Sequence, residues 1–353
     1  MKKLYPGRIV IGIFITVLLI SHLRVLSQDF SENHDSYCDP TVNGLARPIG
    51  ISFEYEKILN YNITSHSNVD GYPDGEGAVN SNRRIKLKFK VPVINKDHFK
   101  FAMGFRYSHE EFRFESPNEL DYLFYQNLEN KPLRSIGSDF YFMLPRKNNT
   151  FFALALNLSI NGDYFQKSTS FFDYLKVSVA PVFGIKKHEN LIYGFGFAYS
   201  YVFGDPSITP VITYMHTFNK KWGIEAILPF EAKVRYNINP GSFLYAGAKI
   251  RGASYQVHLD DAILDDIRMV ELRNSEMKLF VSLRQEISDF LWFSVNAGYR
   301  YNINFNIADS NHNRSATNFF GREYLLESNL DNAFFFNVSL DIVPPRKWYN
   351  KKK

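Results

Sequence analysis

The chain has 353 residues, a formal net charge of +5 and a slightly negative mean hydropathy, yet aromatic side chains make up 16% of it. Beyond the N-terminal region no apolar run approaches the ~18 residues of a membrane helix, which excludes a helical membrane bundle. One cysteine allows no intrachain disulfide, and basic residues that alternate with apolar ones form no open nucleic-acid face.

Lys2, Lys3 and Arg8 precede an apolar run from Ile9 to Ile20, the layout of a secretory signal. Val25-Leu26-Ser27 resembles a small-residue cleavage site and places the expected cut between Ser27 and Gln28. Residues 28–47 show no periodicity and read as a short irregular segment, too short for a folded plug.

From residue 48 to 343 the pattern is that of a membrane barrel. Ile49, Ile51, Phe53 and Tyr55 alternate with polar residues, and a loop is expected over 59–81. Arg84, Lys86, Lys88 and Lys90 then alternate with Ile85, Leu87, Phe89 and Val91. After a turn at Asn95-Lys96-Asp97, residues Phe99 to Tyr107 repeat the alternation. A soluble edge strand guarded by lysines would explain the first of these segments but not both. Two neighbouring strands with one apolar and one charged face make a barrel wall.

An acidic loop is expected over 109–131, followed by strands near 132–144, 150–160, 174–186 and 191–203 with short turns at 146–149 and 187–189. Further strands fall near 209–218, 222–229, 231–238 and 242–257. A loop at 258–274 leads to a strand at 276–286. Then comes the clearest stretch, 290–307, in which Phe293, Val295, Ala297, Tyr299, Tyr301, Ile303 and Phe305 oppose Ser294, Asn296, Gly298, Arg300, Asn302 and Asn304. A tilted strand needs roughly 9–11 residues to cross a bilayer, and this alternation is longer than soluble strands usually sustain. A loop at 308–330 and a last strand at 333–342 complete the set, before a basic tail at 344–353.

The expectation is thus an all-β fold: a transmembrane antiparallel β-barrel of about 14 strands, with short periplasmic turns and long outer loops. Twelve strands remain if the segments flanking Pro229 form one bent strand. Trp222, Trp292 and Trp348 fall near the short-turn side, where a periplasmic aromatic girdle is expected.

Between Tyr193 and Val257 stand Gly204-Asp205-Pro206, Thr209-Pro210, Trp222-Gly223-Ile224-Glu225-Ala226-Ile227-Leu228-Pro229 and Tyr236. This stretch resembles a family of uncharacterised β-barrel outer-membrane proteins of Bacteroidetes-type bacteria. The resemblance implies an outer-membrane barrel and transfers no activity or catalytic residue. The tail from Pro344 to Lys353 departs from the aromatic ending usual in such barrels.

The chemistry of the sequence lies on the polar faces of the strands. Arg84, Lys86, Lys88, Lys90, Lys100, Arg106, Lys233, Arg235, Lys249, Arg251, Lys278, Arg284 and Arg300 are expected to line the interior, against Glu54, Glu56, Glu225, Glu231, Glu276 and Glu286. Such charges are either solvated by a water channel or paired across the lumen. The first case is a passive channel or transport barrel for small, preferably anionic solutes. The second is a non-conducting structural or surface-interaction barrel acting through its outer loops. An outer-membrane hydrolase would need a nucleophile beside a histidine, and His216 and His258 have no partner visible in the sequence; no enzyme is expected. Asp260, Asp261, Asp265 and Asp266 follow no calcium-loop spacing, so no metal or cofactor is expected. The expected setting is the outer membrane of a Gram-negative bacterium, in contact with its lipid and lipopolysaccharide after insertion by the barrel-assembly machinery. Oligomeric state is left open.

Overall fold

The computed structural model describes residues 38–117, 122–164, 171–259, 267–310 and 324–346. The expected signal peptide, the first ten residues of the expected irregular segment, the acidic quartet of Asp260 to Asp266, Trp348 and most of the basic tail lie outside them. Sixteen strands run β1 (Ile51–Ile58), β2 (Tyr61–Ser67), β3 (Gly75–Asn95), β4 (Lys100–Phe114), β5 (Leu133–Pro145), β6 (Thr150–Gly162), β7 (Leu175–His188) and β8 (Leu191–Phe203). They continue as β9 (Asp205–Thr217), β10 (Trp222–Leu228), β11 (Glu231–Asn239), β12 (Ser242–His258), β13 (Met269–Glu286), β14 (Leu291–Asp309), β15 (Leu326–Leu330) and β16 (Ala333–Ile342). Among the described residues two short helices, α1 (Leu123–Asn130) and α2 (Phe171–Tyr174), follow β4 and β6.

Strands adjacent in the wall pair antiparallel, a single parallel bridge joins Gln256 of β12 to Gly162 of β6, and the sheet closes on itself. At the seam Ile51 pairs with Ile342 and Ile58 with Phe335, and the same line continues from Ile63–Leu330 to Ser67–Leu326. β1 with β2, and β15 with β16, are therefore two halves of single staves, and the barrel has 14 strands. The twelve-strand alternative fails because β10 and β11 are separate staves, paired from Trp222–Tyr236 to Ile227–Glu231.

The outward face is apolar across the middle of the wall. Phe53, Leu87, Phe105, Phe195, Phe197, Ile212, Val281, Val295, Phe334 and Leu340 are all exposed. So broad an apolar surface is at home only against lipid. Trp222 is exposed at 48%, as a girdle residue should be, but Trp292 is fully buried. It shares parity with Ser294 and points inward, where the guanidinium groups of Arg47 and Arg284 lie over its ring.

Four expected loops are shorter than the sequence suggested; the one at 308–330 gives up Leu326–Leu330 to β15, and β4 shows why for the others. Its odd residues face outward throughout, from Phe101 and Phe105 to His109, Glu111 and Arg113; its even residues turn from Lys100 and Arg106 to buried Phe112 and Phe114. Past the bilayer the outer face becomes polar and the inner face apolar, so the period persists while its sign reverses. The expected loop at 109–131 thus begins only after Phe114. The one at 59–81 shrinks to the link between Ser67 and Gly75, and that at 258–274 ends at Met269.

The inverted faces build a core inside the outer end. Tyr61, Ile63, Val79, Phe112 and Phe114 meet Tyr255, Val257, Val270, Leu272, Phe305 and Ile307 from the opposite wall. Helix α1 drops Phe124, Tyr125 and Leu128 between them, all at most 1% exposed. Burying three such side chains contributes roughly 1.5–3 kcal/mol each.

The β10–β11 hairpin ends halfway up the wall, its last ladder partners being Leu228–Ile212 and Glu231–Lys249. Above it β12 has no β11 beside it. There the outward-parity residues Ser254, Gln256, Glu271, Arg273 and Ser275 are buried instead of facing lipid. They rest on the opposite wall: Asn161 donates to the Ser254 carbonyl (3.1 Å), Ser275 to that of Val202 (2.9 Å), and Lys176 pairs with Glu271 (2.5 Å). The upper β12–β13 hairpin therefore lies inside the wall of β6 to β9. The exposed edge left on β9 is blunted by Pro206 and Pro210. Thr217 N donates towards β8, so even-numbered donors of β9 face the missing neighbour, and two of those are proline.

Candidate functional site

Two cavities occupy the lumen below this filled end. The first, about 550 Å³, opens towards the periplasmic turns and is lined by Lys86, Lys88, Lys90, Lys233, Lys249, Arg251, Lys278, Arg284 and Arg47, with Glu54, Glu225, Glu231 and Asp341. Nine basic residues thus face four acidic ones. The second, about 610 Å³, lies towards β4 to β8 and holds Arg84, Arg106 and Lys176. Lys86, Lys88 and Arg251 line both, so the cavities meet at those three side chains.

The placement follows from strand parity. Lys86, Lys88 and Lys90 alternate with outward Ile85, Leu87 and Phe89 on β3, and Lys249 and Arg251 are on the inward parity of β12. The ladders set Glu231 beside Lys249 and Lys249 beside Lys278. Like charges directly opposed on a sheet repel, so each needs a counter-charge from elsewhere. Lys278 has two, Glu56 (2.5 Å) and Glu276 (2.9 Å). Lys88 pairs with Glu54 (2.6 Å), Lys233 with Glu225 (3.2 Å) and Glu231 (3.3 Å), and Arg251 with Glu231 (3.1 Å). Lys90 lies over the Tyr141 ring at 3.7 Å.

Beside the junction stands a buried network that edges the second cavity. Arg84 bonds Glu56 (3.2 Å), Glu110 (2.8 Å) and Glu276 together, while Asn82 donates a further bond to Glu110 (3.0 Å). One guanidinium and the Lys278 ammonium thereby neutralise carboxylates from β1, β4 and β13.

Of the nineteen interior residues named from sequence, Glu54, Lys86, Lys88, Lys90, Glu225, Glu231, Lys233, Lys249, Arg251, Lys278 and Arg284 line the first cavity. Arg84, Arg106 and Glu276 line the second, Arg106 beside Asp139 (3.6 Å), while Glu56 belongs to the buried network and Glu286 pairs with Arg47. Three cations stand apart. Lys100 reaches Asp39 (3.7 Å), Arg235 is buried on Glu225 (2.7 Å) and Thr217 (2.8 Å), and Arg300 donates to the Asp331 carbonyl (3.0 Å) beneath the Tyr61 ring.

Sequence reasoning missed the closing strap. Residues 38–48 cross the periplasmic mouth, although they carry no periodic signal that would announce it. Cys38 N donates to Arg146 O, Thr217 Oγ1 to Asn43 O (2.6 Å) and Asn237 Nδ2 to Gly44 O (3.1 Å). Arg47 then clasps Asp289 (3.1 Å) and Glu286 (3.4 Å), carboxylates that Arg346 also holds from the far end of the chain. Cys38 and Val42 are buried on Phe151 and Ile192. Burial pushes the Cys38 thiol above its usual range, which makes its reactivity a reporter of the strap. Val42→Asp would bury an unpaired carboxylate, a cost of a few kcal/mol, and release that end. Labelling of Cys38 by a maleimide in detergent-folded protein should then accelerate on the order of tenfold or more; an unchanged rate would mean that the strap is not held there.

Histidine partners also escaped the sequence. His258 Nδ1 lies 2.9 Å from Asp163, whose other oxygen accepts from His258 N (2.8 Å), and His216 lies 3.0 Å from the Tyr214 hydroxyl. The His258–Asp163 pair clips β12 to β6, and neither residue lines the two cavities.

A family model described as "Domain of unknown function (DUF6268)" matches residues 79–343. The chain belongs to this family. No curated protein matches. Among solved structures it is similar to a FadL homologue of Pseudomonas aeruginosa (10% identity, 83% of this chain and 90% of that one, TM-score 0.39). It is also similar to an outer membrane channel from Pseudomonas putida F1 (10%, 89% and 100%, 0.39) and to outer membrane phospholipase A from Escherichia coli (9%, 81% and 98%, 0.32).

Proposed function

We propose that this DUF6268 member is a gated transport barrel of the outer membrane, with a chamber that favours small anionic solutes. The reading rests on the first cavity, whose lining carries nine basic side chains against four acidic ones. An excess of fixed positive charge in a narrow low-dielectric passage concentrates anions and lowers their barrier to entry. The outer core fills one end and the strap crosses the other, so passage requires the outer end to move. Brief, discrete openings are expected rather than a standing pore.

The test is current through a planar bilayer holding the detergent-folded protein. Stepwise conductance that passes chloride more readily than potassium, with a preference that shrinks as salt rises to 1 M and the Debye length falls to roughly 3 Å, supports the reading. Folded barrels that never conduct would favour the rival, a non-conducting surface-interaction barrel, for which the filled outer end already speaks.

A further inference from the structure

Lys86, at the cavity junction, and Lys249, in the first cavity, differ from the cations around them. Lys88 is matched by Glu54 and Arg251 by Glu231, but neither Lys86 nor Lys249 has a carboxylate within 4.0 Å among the described residues. The acidic groups nearest them by ladder position are already engaged: Glu54, beside Lys86, by Lys88, and Glu231, beside Lys249, by Arg251 and Lys233. Glu56 and Glu276 are held by Arg84 and Lys278. Lys249 also faces Lys278 directly across the β12–β13 ladder and has only the Phe280 ring beneath it, at 5.2 Å.

Two ammonium groups on different strands, turned into one cavity and each lacking a carboxylate in direct contact, are costly unless an anion joins them. We propose that Lys86 and Lys249 form a binding site for a compact multivalent oxyanion of the phosphate type. The assignment rests on the transport reading for its setting and names the solute class that the chamber would pass. An ammonium offers three donors and no acceptor, so the pair suits a ligand with several acceptor oxygens and more than one negative charge. Chloride, one charge on one centre, gains less from two separated donors. A cavity of about 550 Å³ admits such an oxyanion, free or as the end of a small monoester.

Titration calorimetry on the full-length detergent-folded protein at constant ionic strength tests this. Inorganic phosphate should bind at one site, at least tenfold more tightly than chloride competes for it. Lys249→Gln and Lys86→Gln should each weaken phosphate about tenfold or more, while Lys90→Gln, in the same cavity but over Tyr141, should not. Lys249→Arg should retain binding, which guards against a variant that merely misfolds. Glycerol phosphate competing as well as phosphate would identify the monoester end as sufficient; its failure to compete would restrict the site to the free ion. Equal binding of chloride and phosphate, or phosphate binding indifferent to both glutamine variants, would overturn the site. Binding without conductance would keep the site and remove the transport reading; conductance without binding would do the reverse.

Discussion

Arg84→Met should be among the most destabilising single substitutions in the lumen, costing about 3–5 kcal/mol. The guanidinium is the shared partner of Glu56, Glu110 and Glu276, and all four side chains are at most 9% exposed. Removing it leaves Glu110 with only the Asn82 amide, and leaves Glu56 and Glu276 to share Lys278. Carboxylates in that position must repel one another or take up protons, and either outcome favours the unfolded chain. The loss should appear as a lower midpoint in the heat-induced shift from compact to unfolded mobility on gels. Adding Glu110→Gln to Arg84→Met should recover part of it, because one charge fewer is then left without a partner. Arg84→Met at wild-type stability would show the network to be solvated rather than sealed.

The same network marks the limit of what the sequence could say. Period-two alternation assigns a side chain to the inner or outer face, and on that basis Lys86, Lys249 and Arg251 were legible as lumen residues. It does not say which inward charges meet across the barrel. Arg84 and Glu276 lie 192 positions apart and meet through the seam and the curl of β12–β13. That curl was invisible for a related reason. Ser254, Gln256 and Arg273 look like an outward face that has left the bilayer, whereas they face the inner surface of β6 to β9. The sign reversal along β4, from Phe105 outward to Phe112 inward, likewise made a strand end look like a loop. Trp292 shows what was missed where the rule was not applied. The alternation was read only from Phe293 and the tryptophan was assigned to an interfacial girdle, whereas parity with Ser294 sets it inward.

Lys249→Glu with Arg251→Glu should abolish most of the anion preference in the bilayer experiment. The two substitutions turn nine basic and four acidic lining residues into seven and six, so the fixed charge of the first cavity falls almost to balance. Chloride-to-potassium selectivity, read from the reversal potential across a salt gradient, should drop towards unity rather than invert. The position of the pair strengthens the effect. Arg251 lines both cavities and Lys249 adjoins it on β12, so the change falls at the junction that every ion between the cavities must pass. Glu231, which now holds Arg251 at 3.1 Å, would face two like charges in the variant, a second reason for anions to lose their advantage there. Arg106→Glu, deep in the second cavity beside Asp139, should shift selectivity less for the same change of charge. Unaltered selectivity in the double variant, with conductance intact, would mean that ions take a route that avoids the junction.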